Sequence, residues 1–353
     1  MAIPAEQPAD LRDAAEDAAN GEKLSLGTKL AFGAGDFGPA VAGAMKVFFL
    51  LIFLTDVARL YAARAGLVLL LLKFWDAIND PMVGWLSDRT YTRWGRRRPW
   101  ILVGAVPFGL TFFLLWLVPD WNTTAKFLYY VLIAALGDTM VTVVNVPYAS
   151  LTPELSRDYD ERTSLNSFRF AFSIAGALLA AVLHPVIVDQ FDTPQLGYAV
   201  SGAVWAVAIT IPCFIVVAGT RERPQAMQTA KEEAIPLLQQ LRIVFANRPY
   251  RFVIVLYLLS WLVLQMVATV IAYYMTYYMQ RPGQLPLVLL AIQGSTLVFL
   301  FIWNAISRRL GKRTVYMLGA SIWLAVQISL FFVQPDQIRL VYILGTLAGA
   351  GLA

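Results

Sequence analysis

The sequence predicts an all-α protein that crosses a membrane many times. Of its 353 residues 58% are hydrophobic and 14% charged, with a mean hydropathy of +0.61. Apolar runs near the roughly 20 residues that a bilayer-crossing helix needs recur along the chain. The basic residues collect in the short loops between those runs. This composition excludes a soluble domain. The formal charge of +5 would by itself fit a nucleic-acid partner, but its place beside the apolar runs assigns it to membrane topology, so no nucleic acid is expected.

In chain order, residues 1–24 are rich in Ala, Asp and Glu, lack the basic start and apolar core of a signal peptide, and read as a disordered cytoplasmic tail. The first span, 30–55, is interrupted by small and polar residues including Gly35, Asp36 and Lys46, and Pro39 can kink it. The second, 65–86, carries Asp76 and Asp80, and the fourth, 125–151, is split by Asp138. Uncharged runs at 101–119, 170–188, 193–220, 252–280, 282–307 and 314–335 can each cross. A tenth begins near Leu340 and stops at Ala353 after too few residues to cross, so the chain reads as truncated within its tenth helix.

The charged stretch from Lys73 to Trp100 carries the chemistry. In a helix, Asp76 and Asp80 stack on one face with Lys73 one turn before them and Asn79 beside them. Ionisable groups at membrane depth are costly unless they face a cavity or a partner, so two acids one turn apart read as an ion or proton site. The plain alternative is a Lys73–Asp76 pair that only holds helices together. The single Cys213 and single His184 leave no disulfide framework or metal cluster, and His184, next to Pro185, reads as structural or interfacial.

Placing the N-terminus in the cytoplasm puts 20 of the 28 basic residues on that side and 5 on the other, with Lys46, Lys73 and Arg169 inside spans. A cytoplasmic N-terminus is therefore expected. The chain also repeats. Gly84-Trp-Leu-Ser-Asp-Arg followed by Gly95-Arg-Arg-Arg closes the second span, and Asn304-Ala-Ile-Ser-Arg-Arg followed by Gly311-Lys-Arg closes the eighth. The expected organisation is an N-terminal six-helix half over 25–220, a central cytoplasmic loop over 221–248 and an incomplete C-terminal half over 249–353. Parallel six-helix halves are the plan of the major facilitator superfamily.

Trp75-Asp76-Ala-Ile-Asn79-Asp80-Pro81, with Thr92-Arg93-Trp94-Gly95 and Pro99-Trp100, resembles the signature of the glycoside-pentoside-hexuronide:cation symporters, the melibiose permease-like family within that superfamily. Gly35-Asp36-Phe37-Gly38, Asn145-Val-Pro147-Tyr148, Glu161-Arg162-Thr163, Arg169 and Ala272-Tyr-Tyr-Met-Thr-Tyr277 extend the resemblance over nearly the whole chain. It implies a twelve-helix family fold in the cell inner membrane and a monomeric transporter that takes a small-molecule substrate. It also implies a coupling-cation site at the positions of Asp76, Asn79, Asp80 and Thr142. Those oxygens suit sodium, and a buried acid beside a like charge would equally suit a proton, so the coupling ion stays open; no other cofactor is implied.

The implied substrate site involves Asp36, Ala40, Lys46, Asn145, Ala149 and Arg169. Melibiose permease-like members have aspartates matching Ala40 and Asn145 and a tryptophan matching Ala149, and of that set only the arginine matching Arg169 is kept here. This counts against a galactoside and leaves pentosides, hexuronides or, as in related symporters, lysophospholipids. Arg169 reads either as a contact for an anionic substrate or as a helix-end residue that snorkels or pairs with an acid.

Asp88, Arg89, Arg96, Glu154, Glu161 and Arg162 read either as a lock on the closed cytoplasmic gate, with anionic lipid as a further partner of the arginines, or as plain positive-inside topology. Tyr257, Trp261, Tyr273, Tyr274, Tyr277 and Tyr278 read as sugar-stacking rings or as packing and belt residues. Lys46 and Asp138 match no charge in melibiose permease-like members, and helix arithmetic places them level on facing helices, so an ion pair is expected in preference to a free Lys46. The reading is a symporter that couples Na+ or H+ to a sugar or glycoside by alternating access. The alternatives are a lysophospholipid symporter on the same fold and a non-transporting membrane sensor. No paired histidine, metal motif or nucleophile–base set supports an enzyme.

Overall fold

The computed structural model describes residues 24–90, 92, 94–156, 158–222 and 246–352. The expected tail up to residue 23 and most of the expected central loop lie outside the described residues. All regular elements among the described residues are helical. Helix α1 (Leu26–Ala34) starts at Ser25, whose hydroxyl accepts the Thr28 N–H at 3.2 Å. Helix α2 (Phe37–Met45) follows after a break at Gly35–Asp36. Pro39 lacks the N–H that would bond to the Gly35 carbonyl, so the interruption falls one turn upstream of the proline. Two π-helical turns, Lys46–Leu50 and Phe53–Val57, extend α2.

Helix α3 (Ala62–Asp88) is continuous over 27 residues, long enough for about 40 Å. It is followed by α4 (Arg98–Leu115), α5 (Thr123–Leu155), α6 (Tyr159–Val188) and α7 (Pro194–Gly219). A C-terminal group comprises α8 (Arg248–Tyr273) with a π-helical turn at Tyr274–Tyr278, α9 (Leu285–Leu310), α10 (Lys312–Phe331) and α11 (Ile338–Leu352). Side-chain oxygens of Asn122, Asp158 and Asn247 cap α5, α6 and α8. Seven of the described helices are long and apolar enough to cross a membrane by length and composition. The expected first span is divided by its break and its π turns. The expected second span, in α3, is long enough to cross but carries the charges of Lys73, Asp76 and Asp80 within it.

In the N-terminal group α4 packs between α5 and α7, α3 lies along α5, and α1 and α2 lie on α6 and α7. In the C-terminal group α11 packs against α9 and α10. The groups meet where α6 contacts α9 and where α8 contacts the first π turn beyond α2. The N-terminal core is an aromatic nest of Phe49, Phe53, Trp116, Tyr130 and Tyr198. His184 lies inside it, fully buried, with Nδ1 2.7 Å from the Ser201 hydroxyl, so its role is internal packing and not an interface. Gly202 lets α7 approach this nest, since a Cβ there would come within 2.9 Å of the Trp116 side chain.

The repeat seen in the sequence reappears in backbone geometry. The ends of the first helices of the two groups carry matching π turns, Phe53–Val57 and Tyr274–Tyr278. Each is closed by corresponding 2.9 Å bonds, Ala58 N–H to Phe53 O and Leu60 N–H to Leu54 O in one, Met279 N–H to Tyr274 O and Arg281 N–H to Met275 O in the other. Each is followed by a left-handed residue, Arg59 (φ 60°) or Gln280 (φ 53°). The two basic loops match as well, for Gly95 and Gly311 both have positive φ, 108° and 80°. At these two positions glycine removes the Cβ strain of a left-handed turn.

Candidate functional site

Helices α3 and α5 run parallel in a fixed register. The Trp75 indole donates to the Thr139 hydroxyl at 2.9 Å, and the Thr142 hydroxyl donates to Asp80 at 2.8 Å across 62 residues of sequence. Gly84 lies against Val146 at the same offset. This register sets Asp76 level with Asp138 and Asp80 level with Thr142. The sequence placed Asp76 and Asp80 on one helix face, and the structure brings Thr142, the residue that the family resemblance grouped with them, onto Asp80. Asn79 is fully buried and neither of its amide atoms has a partner among the described residues, nor has the buried Asn145 Oδ1. Buried amides are normally satisfied, so the unpartnered amide of Asn79, which precedes Asp80 in α3, would suit a cation that takes oxygen ligands.

Two further ion pairs border this cluster. Lys46, at the start of the first π turn, bonds Asp138. Lys73 lies 3.3 Å from Asp76 one turn along the same helix, with its side chain 72% exposed. The expected pairing of Lys46 with Asp138 is formed. Arg169 is also paired, its guanidinium meeting both Asp36 oxygens at 3.2 and 3.3 Å and lying 4.9 Å from the centre of the Tyr148 ring. The Tyr148 hydroxyl in turn donates to the Phe32 carbonyl at 2.7 Å. Arg169 is thus engaged with Asp36 in this structure, the arrangement that one of its two readings named. Among the expected substrate residues, Lys46, Asp36 and Arg169 are thus engaged in ion pairs, while Ala40 and Ala149 offer only methyl groups.

The basic loop folds onto its own group. Arg97 bonds Asp88 at 2.5 Å, Ser87 Oγ at 2.9 Å and Glu154 at 3.3 Å, and Arg96 bonds Glu154 at 2.8 Å. Glu222 accepts the N–H groups of Arg96, Arg97 and Arg98 at 2.5, 2.9 and 2.8 Å, capping α4 with a carboxylate. The expected set is therefore divided. Asp88, Arg96 and Glu154 join, but Glu161 pairs with Lys29 at 2.9 Å, Arg162 donates to the Ser156 carbonyl at 2.8 Å, and Arg89 stacks 3.8 Å from the Trp85 ring. The bonds of this cluster tie helices of the N-terminal group to each other and to the start of the central connection. Arg97 was one of several loop arginines in the sequence, and nothing local marked Glu222 or Lys29.

A contact that does bridge the groups lies at the opposite end. Thr55 and the Tyr273 hydroxyl are 2.6 Å apart, and the Tyr277 hydroxyl donates to Asp56 at 2.5 Å. Tyr274 and Tyr278 donate to the Leu330 and Val333 carbonyls at 3.2 and 2.9 Å. The hydroxyls of all four tyrosines are thus engaged with neighbouring helices in this structure. Tyr257 and Trp261 stack on each other at an exposed site.

Comparison with known proteins gives a consistent picture. The model of the family described as MFS/sugar transport protein matches residues 31–353. An uncharacterized symporter of Synechocystis is 38% identical, over 94% of this chain and 76% of its own length. The sodium-dependent lysophosphatidylcholine symporter 1 of mouse is 28% identical over 94% and 68%. The inner membrane symporter YicJ of Escherichia coli is 29% identical over 88% and 67%. Among solved structures, a D-xylose–proton symporter superposes with a TM-score of 0.62 at 15% identity, over 93% of this chain and 79% of the other, a likeness of fold alone.

Proposed function

Because the chain belongs to the MFS/sugar transport protein family, and is thus a multi-pass membrane transporter and not an enzyme, we propose that it is a symporter that draws a sugar or glycoside across the membrane with one monovalent cation, Na+ or H+. The observation that carries this is the Asp80–Thr142 bond with Asp76 one helical turn away on α3, together with the buried, unpartnered amide of Asn79 on the same helix. Cation binding would neutralise charge between α3 and α5 and favour the substrate-binding state, which is linkage between two ligands. The groups would rock about this midplane cluster, with the N-terminus cytoplasmic. The Thr55–Tyr273 and Asp56–Tyr277 latch would close one end of the path.

The pairing of Lys46 and Arg169 favours a neutral glycoside over a hexuronide, since an anionic substrate would have to displace Asp138 or Asp36. A second reading is a lysophospholipid, favoured by the 28% identity over 94% of the chain to the mouse lysophosphatidylcholine symporter. Counterflow in proteoliposomes with labelled pentosides, neutral glycosides and lysophosphatidylcholine, under a sodium or a proton gradient, separates the two. Gradient-driven accumulation should be lost in Asp76→Asn and in Asp80→Asn while both variants keep the folded elution volume. Accumulation equal to wild type in both variants would sink the coupling site.

A further inference from the structure

The register of α3 and α5 places three carboxylates, Asp76, Asp80 and Asp138, along one seam, and two ammonium groups, Lys73 and Lys46, reach it. The two lysines differ. Lys73 is an exposed partner in helical sequence, whereas Lys46 crosses from another helix to a buried aspartate and its side chain is only 23% exposed. Asp138, to which Lys46 is bonded, lies level with Asp76 in the register of α3 and α5. With Lys46 present the seam carries one net negative charge, and without it two. A compact ammonium on a flexible stem is also the side chain that most resembles a free monovalent cation.

We infer that Lys46 is a resident cation of the coupling site: its ammonium, held on Asp138 level with Asp76, stands in for one exchangeable ion and limits the site to a single monovalent cation. This rests on the coupling-site reading above and adds a residue that decides how many ions that site takes. Lys46 thereby sets stoichiometry without being released, and Asp138 is its counter-charge.

The test is cation binding to the purified chain in detergent, with sodium-22 and, in weakly buffered solution, with protons followed by an indicator dye. The ion that binds wild type and fails to bind Asp80→Asn is the probe. Wild type should bind one ion per chain, and Lys46→Gln should bind two. Asp138→Asn should weaken binding about tenfold or more, because the freed ammonium turns to Asp76 and acts on the ion at short range. The double variant Lys46→Gln/Asp138→Asn should return to one ion and recover most of that loss. If Lys46→Gln does not fold, comparison of Asp138→Asn with the double variant decides alone. One ion in Lys46→Gln, or wild-type affinity in Asp138→Asn, overturns the inference while the coupling site stands. Absence of any Asp80-dependent binding in wild type overturns the coupling site and this inference with it.

Discussion

Replacing Glu154 by Gln tests whether the basic loop is held by buried electrostatics. Two guanidinium groups share one oxygen of Glu154, Arg96 at 2.8 Å and Arg97 at 3.3 Å, and Glu154 and Arg97 are 8% and 6% exposed in their side chains. Removing one partner from a buried ion pair costs about 3–5 kcal/mol, because the surviving charge stays desolvated. Arg97 keeps Asp88 and the Ser87 hydroxyl, so the loss should fall near the lower bound, about 3 kcal/mol. Asp88→Asn is the internal control. That carboxylate is 58% exposed, and screening holds its pair to about 1 kcal/mol or less. Thermal unfolding in detergent, followed by tryptophan fluorescence, should show Glu154→Gln melting roughly 4 °C below wild type and Asp88→Asn roughly 1 °C below at most, the unfolding entropy being spread over 353 residues. Equal melting of Glu154→Gln and wild type, or a larger loss in Asp88→Asn, would refute the reasoning.

Three other outcomes are expected. Tyr277→Phe removes a 2.5 Å bond to Asp56 between the helix groups, worth about 1–3 kcal/mol, so a cysteine placed at Ala58 should react with maleimide several-fold faster in that variant; an unchanged rate would deny the latch. Cys213, buried among apolar groups, should stay unlabelled by maleimide in the folded protein and react only on unfolding, which makes the native chain a clean background for that assay; labelling under native conditions would contradict the packing of α7. Gly202→Ala should lose about 1–3 kcal/mol in the same melting assay, since its Cβ meets Trp116 at 2.9 Å; full stability would mean that the nest is looser than its geometry.

Local signals carried the fold a long way. Apolar runs bounded by basic loops gave the helices, and the two glycine-arginine loops gave the repeat, because both depend on residues near in sequence. The break before α2 fell at Gly35, one turn upstream of the proline expected to kink the span, for a proline disturbs the helix through the carbonyl it leaves unbonded. Within the site, helical spacing sufficed for Asp76 and Asp80, and helix rise sufficed for the level of Lys46 and Asp138. Glu222, Lys29, Thr55 and Asp56 were invisible because their partners lie 124 or more residues away (Glu222), 132 residues (Lys29), 218 residues (Thr55) and 221 residues (Asp56) along the chain, and nothing in their own neighbourhoods marks them. The tyrosines at the end of α8 left two readings open in the sequence for a related reason. A ring with a polar tip looks the same whether its hydroxyl waits for a ligand or is already bonded to a neighbouring helix.

Asp56 and Tyr277 hold the same position in their two π turns, 221 residues apart, and they touch. Equivalent residues of two copies can meet only on the axis that relates the copies, so this is the contact a two-fold dimer would make with itself, here enclosed in one chain. In a dimer of identical subunits the position would have to oppose aspartate to aspartate or tyrosine to tyrosine. Joining the copies in one polypeptide lifts that constraint, for each side can then mutate alone. The frame of the contact has stayed symmetric, with matched turns and matched left-handed residues, while its chemistry has become complementary, one side accepting the proton that the other donates.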